Sequence, residues 1–307
     1  MITRFFSTSK PIHLVLILVL TTILFFVYRI AGLSEELTLN SGFKLILLCL
    51  VLLLSIAVLA FFVTKNNLTH RNGYKILFYF IFLLVFPSSL LSGKVIVASF
   101  FIMLALRRII SLRTKLNVKK KLFDAAFWIG IASVFYFWSF LFFGLVLAAM
   151  FLYAIEGIKN WIIPFLGLAT VVILVLSYSI ITANTFGDFT NYFEGTGYNF
   201  TAFNDVKLII PITMMFSLGL WAAFFHIKSL NDQPKVFRAA HLLIIYAAAI
   251  ALVIIIVTPN KNGSEFIFLF APLSVIMSNY IQIVKDRWFA EAYVWLLLLT
   301  PIAILFL

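Results

Sequence analysis

The chain has 307 residues, of which 64% are hydrophobic and 11% charged, whereas a soluble domain is about 45–50% apolar and about 25% charged. So thin a polar shell excludes an ordinary soluble fold and makes lipid the solvent of most of the surface. The net charge of +12 would suit nucleic acid, but the basic residues sit in short loops between apolar runs. There the preference of Lys and Arg for the cytoplasmic side, and the anionic inner leaflet, account for them.

Unpaired backbone groups cannot face hydrocarbon, so only helices and closed barrels span a bilayer. The apolar runs are continuous rather than alternating, which excludes a barrel. The first run, 12–30, follows a short basic segment with Arg4 and Lys10 and lacks a small-residue cleavage site, so it reads as a retained span. Further runs are 43–63, 74–90, 95–106, 122–137, 138–154, 161–181, 208–226, 239–257, 265–283 and 289–307, giving eleven in all. The stretch 122–154 holds 33 residues. As one straight helix it would reach about 50 Å, against a hydrocarbon core of about 30 Å. Two short helices broken near residues 136–138 are therefore expected, forming a central hairpin.

With the N-terminus placed in the cytoplasm, 18 of the 23 basic residues fall inside and 5 outside, the latter being Arg29, Lys44, Lys94, Lys207 and Lys261. The predicted fold class is an all-α polytopic transmembrane helical bundle of about 11 spans, in one domain over residues 1–307. The single cysteine, Cys49, can form no intrachain disulfide, and four scattered histidines show no ligand spacing. No metal and no cofactor is expected.

Candidate sites are few. Seven basic residues between 107 and 121 could meet lipid headgroups, although a topology anchor explains them more simply. The outer loop 182–207 interleaves Phe186, Phe189, Tyr192, Phe193, Tyr198, Phe200 and Phe203 with Asp188, Glu194 and Asp205. Aromatic rings and carboxylates in that mixture would suit sugar faces and hydroxyls, while an amphipathic interfacial segment is the plainer account. Glu35 and Glu36 follow the first span and could supply a general base at the membrane surface, or simply be solvated. Asp124, Glu156 and Glu291 lie near helix ends, where a charge is cheap, and no span carries an ionisable group near its middle.

From the basic loop onward, "LALRRIISL", "KKKLFDAAFWIGIASVFYFWSFLFFGLVLAA" and "WIIPFLGLATVVILVLSYSI" follow in order, and "PNKNGSEFIFLFAPLSVIMSNYI" comes late. This order resembles the central helices and penultimate outer loop of the polyprenyl-phosphate-sugar-dependent glycosyltransferases of the GT-C superfamily. It also resembles an uncharacterised family of bacterial inner-membrane proteins, which implies a multi-pass location in that membrane and no particular activity. The glycosyltransferase resemblance implies a polyprenyl-phosphate sugar as donor and Lys261 as a lipid-phosphate contact. The departure is the first outer loop, 31–42, which is short where those enzymes place a catalytic acid among interfacial helices, so that Glu35 and Glu36 are its sole acidic candidates.

The functional expectation is a GT-C-like membrane protein handling lipid-linked sugars at the outer face. Glu35 or Glu36 would act as base, and Lys261, Asp188 and Glu194 would bind substrate. The rival is a non-catalytic subunit or scaffold of an envelope complex, and a transporter stands third. Expected partners are membrane lipids, the polyprenyl-phosphate sugar and other membrane proteins, without nucleic acid.

Overall fold

A computed structural model describes residues 2–31, 39–183 and 194–305, apart from the side chains of 235, 236 and 305. Every regular element among them is helical. A one-turn-and-a-half helix α1 (Ile2–Phe6) precedes α2 (Pro11–Ala31) and α3 (Leu39–Lys65). Then come α4 (Tyr74–Val85), a single turn α5 (Ser88–Leu91), α6 (Gly93–Ser111) and α7 (Val118–Phe135). The chain continues as α8 (Phe143–Leu152), α9 (Ile158–Ala183), α10 (Val206–Ser229), α11 (Lys235–Val257), α12 (Ile267–Ile283) and α13 (Arg287–Leu305). Among the described residues, eight helical segments are long and apolar enough to cross a membrane, and Tyr74–Val85 and Phe137–Leu152 are shorter apolar ones. The protein is membrane-integral, and helices stand at all eleven places the sequence marks.

Loop contacts sort these helices into two ends. At one, Gly73 N–H donates to Phe6 O (2.8 Å), His70 N–H to Gln282 Oε1 (3.2 Å) and Tyr153 Oη to Ile110 O (3.4 Å). Arg113 lies 4.2 Å over the Phe237 ring there. This basic end holds most of the lysines and arginines. At the far end Gly197 N–H donates to Val257 O (3.0 Å) and Tyr136 pairs with Thr258. The alternation read from charge is thus an alternation between two ends of one bundle.

The centre is α4 against α12. In α4 every residue from 74 to 83 is buried, and 83% of the α12 span is covered, against 17% for α2 and α9. The two run antiparallel: Phe86 stacks on Phe266 (4.7 Å), Phe82 meets Phe270 (5.5 Å), and near the basic end Ser278 Oγ donates to Asn72 Oδ1 (3.3 Å). A helix apolar all round must be enclosed by other helices or lipid, and the aromatic pairs supply large contact area at defined geometry. Proline ends α4: Phe86, pushed off the helical region by Pro87 (φ −120°, ψ 72°), closes the last turn through its N–H to Phe82 O. One further acidic anchor ties the periphery to this core. Glu291 on α13 accepts from the backbone N–H of Ile2 (2.6 Å) and Thr3 (3.1 Å) and from the Thr3 hydroxyl, fixing the N-terminus of α1.

The hairpin breaks where the length argument places it. Tyr136 is extended (φ −148°, ψ 103°) and caps α7 through its N–H to Ala132 O. The bulky run Phe137–Phe142 then winds as a 3-10 helix into α8, the tighter form that short connectors favour. The Tyr136 hydroxyl lies 2.6 Å from Thr258 Oγ1 at the end of α11. Replacing Tyr136 by Phe should cost about 1 kcal/mol, the usual worth of one buried hydrogen bond. The measure is the thermal midpoint of the purified protein in detergent, and an unchanged midpoint would mean that the pair is not formed.

A layer α3–α6–α7–α9 packs along one side of the centre, with α10, α11 and α13 on the other. The helices of that layer approach closely at Gly167, where an added Cβ would stand 2.8 Å from Phe123 O and 3.0 Å from Ala126 Cβ. Small residues that let backbones approach are the usual means of helix association in lipid, where no hydrophobic drive separates helix from solvent.

Candidate functional site

The far end gathers polar groups that the apolar bundle does not need. The loop between α11 and α12 starts at Thr258 and turns at Gly263 (φ +84°), a left-handed conformation that an L side chain resists. An added Cβ there would also meet Ser88 Oγ at 2.8 Å, so the turn and the start of α5 are in direct contact. The 3-10 turn Ser264–Phe266 then leads into α12.

Lys261 is buried in this loop. Its ammonium donates to Gly197 O (2.8 Å), Ile256 O (2.8 Å) and Thr258 O (2.5 Å) and lies 4.7 Å over the Phe200 ring. An ammonium has three donors, and all three are engaged. Burial lowers its pKa, while the nearby Glu265 charge opposes that. Lys261 thereby clasps the segment around Gly197 to the α11–α12 loop.

Glu265 is fully buried, and neither carboxylate oxygen makes a well-formed hydrogen bond among the described residues. The backbone N–H groups of Asn262, Gly263 and Glu265 itself lie near the carboxyl without forming a hydrogen bond of good geometry. No ion pair within 4 Å is formed with Lys261; the salt bridge among the described residues is Arg108–Asp124 (2.9 Å), toward the basic end. A buried carboxyl with no well-formed hydrogen bond is costly to keep ionised, which makes Glu265 a candidate site residue. Other unpartnered polar atoms share this end: Ser88 Oγ, Trp138 Nε1, and Nε and Nη2 of Arg29. Arg29 is close to the start of α6, 3.7 Å from where a Cβ on Gly93 would lie.

Beside these groups a groove of about 280 Å³ opens between α2, α4 and α13, lined by Tyr28, Leu84, Trp295, Leu298, Pro301 and Ile302. Leu84 lies two residues before Phe86, which stacks on Phe266, and Tyr28 directly precedes Arg29. The groove is lined mainly by apolar and aromatic side chains.

Of the residues singled out from sequence, Lys261 is buried in the clasp and Glu194 stands in the segment it holds. Glu194 as a residue is exposed, yet partial burial raises the pKa of its carboxyl and Lys94 opposes the shift. Glu35, Glu36 and Asp188 lie outside the described residues. The sequence reading missed Glu265 and Arg29. The signal for Glu265 was an acid opening an apolar run four residues after a lysine, a spacing that puts both at one end of a span. No group of three or more His, Cys, Asp or Glu suited to a metal occurs among the described residues.

No curated protein matches the chain, and no solved structure does. None of the comparisons carries the resemblance to glycosyltransferases. A family profile matches over residues 1–307, and the chain therefore belongs to the family described as a family of unknown function, DUF6427.

Proposed function

We propose that the protein handles a lipid-linked sugar at the far end of its bundle, which faces outward from the inner membrane. The observation that carries this reading is the fully buried Glu265 carboxyl, which makes no well-formed hydrogen bond or ion pair among the described residues, together with an apolar groove toward the same end. A lipid-linked sugar phosphate has the three chemistries that such an end calls for. Its polyprenyl chain suits the groove, its phosphate suits a cation, and its hydroxyls can donate to a carboxylate.

In this reading Arg29 is the available cation: its Nε and Nη2 make no hydrogen bond among the described residues, and its guanidinium lies 5.6 Å over the Phe25 ring. Lys261 serves as phosphate contact only by exchanging one of its backbone carbonyls for the ligand. Glu35 or Glu36 remains the proposed base, with Asp188 and Glu194 toward the sugar.

The test is binding and turnover of a polyprenyl-phosphate sugar by the full chain in lipid nanodiscs. Glu265→Gln keeps the size of the side chain and removes its charge; it should weaken binding at least tenfold. The double substitution Glu35→Gln/Glu36→Gln should spare binding and abolish turnover. If the wild-type protein neither binds nor turns over any such lipid, the reading fails and the envelope scaffold takes its place.

A further inference from the structure

A second polar site stands at the basic end, separate from the groups around Glu265. A pocket of about 270 Å³ lies where the loop after α3 meets the start of α11 and the end of α12. Its walls include Thr69, Arg71, Gln233, Phe237, His241 and Asn279. No acidic residue lines it.

Two of these residues carry orphaned polar atoms. Thr69 is 8% exposed and His241 2% exposed, and neither Thr69 Oγ1 nor His241 Nδ1 has a hydrogen-bond partner among the described residues. The His226 ring packs against His241 at a tilt, its centroid 5.2 Å away. The Asn279 amide nitrogen is committed to Leu68 O (2.9 Å) and Val275 O (3.0 Å), which fixes the wall on the α12 side. Arg71, by contrast, is exposed and makes no hydrogen bond or ion pair among the described residues. A second guanidinium, Arg113, backs the Phe237 wall. The first turn of α11 also borders the pocket, and a helix start favours negative charge.

Unpartnered hydrogen-bonding atoms, an exposed arginine, a helix start and no lining carboxylate together favour an oxyanion. A planar guanidinium matches phosphate with two parallel hydrogen bonds, and the volume suits a phosphorylated headgroup rather than a larger ligand. We propose that this pocket binds a phosphomonoester or phosphodiester group, held by Arg71 with Thr69 and His241 as buried hydrogen-bonding partners. That chemistry is shared by the headgroup of an anionic membrane lipid and by a soluble phosphorylated molecule.

Two arms distinguish the sources, each applied to the full-length wild type, Arg71→Gln and Thr69→Val. In the first, inorganic phosphate and glycerol 3-phosphate are titrated onto protein in a neutral detergent and the thermal midpoint is followed. In the second, native mass spectrometry compares retention of phosphatidylglycerol with that of phosphatidylcholine from nanodiscs. Arg71 is exposed, so its replacement leaves the fold intact and should reduce affinity at least tenfold; Thr69→Val should reduce it severalfold. Phosphate or glycerol phosphate binding that Arg71→Gln loses supports the site with a soluble ligand. Retention of phosphatidylglycerol alone, also lost in Arg71→Gln, supports it with a lipid ligand. Binding that is equal in wild type and Arg71→Gln, or no binding of any probe, overturns the proposal.

Discussion

Replacing Lys261 with Met should destabilise the far end by about 3 kcal/mol, the scale for removing a charged donor and stranding its buried partners. Methionine matches the length of the lysine stem, so packing survives and the loss reports the ammonium. Three carbonyls, of Gly197, Ile256 and Thr258, lose their donor at once, and the contact with the Phe200 ring goes with them. The effect should be local as well as global. Amide exchange should rise in residues 197–203, which depend on the clasp, and change little in α7 and α9. Arginine at this position should recover only part of the stability, because a planar fork cannot serve three carbonyls arranged around a point charge. If Lys261 were held for a ligand rather than for the fold, Lys261→Met would leave the thermal midpoint where it was.

Gly167→Leu is expected to be at least as damaging, at about 3 kcal/mol or more, through overpacking. Even a methyl group would press on Phe123 O and Ala126 of α7, and the three further carbons of leucine have nowhere to go unless the helices separate. Gly130 on α7 faces Val171 of α9 with similar closeness, an added Cβ there lying 2.9 Å from Val171 Cγ2, so the two helices cannot slide to relieve the strain. A cysteine pair placed at the α7–α9 contact should cross-link readily in the parent and poorly in Gly167→Leu. Equal cross-linking together with equal thermal stability would show that the two helices are not in the contact described.

Much of the architecture was legible because two independent signals agreed. Apolar run lengths located the helices, and the distribution of Lys and Arg sorted their ends. The break at Tyr136 followed from length alone, since the run was too long for one span and too short for two full ones. What the sequence could not rank was enclosure. The segments that became α4 and α2 are both almost wholly apolar, and periodicity is flat when every face is hydrophobic. Which of them sits at the centre depends on partners such as Phe266 and Phe270, far along the chain. Helix α1 was too short to register as a pattern, and its anchor on Glu291 joins opposite ends of the sequence.

The site was less legible than the scaffold. Acids in outer loops attracted attention as Glu35, Glu36, Asp188 and Glu194, since a loop carboxylate is easily imagined in contact with substrate. Glu265 lies at the first turn of a span, where an acid is common and cheap, and only its complete burial sets it apart. The pocket around Arg71 was invisible for a related reason. It is assembled from three separated stretches, none of which carries a motif.

The pairing of α4 with α12 also bears on biosynthesis. Helix α4 has 12 residues, about 18 Å at 1.5 Å per residue, too short to cross alone, and it carries Lys75, whose ammonium donates to Asn72 O (3.2 Å). Its principal partner emerges from the ribosome only after a further 181 residues, the interval from Val85 to Ile267. During that interval the nascent chain holds in the membrane a segment packed only in part, by α2 and α3, whose main covering has not yet been made. The last two helices are therefore not appendages to a finished bundle. They complete it, and a chain stopped before α12 should be a substrate for membrane quality control rather than a smaller version of the same protein.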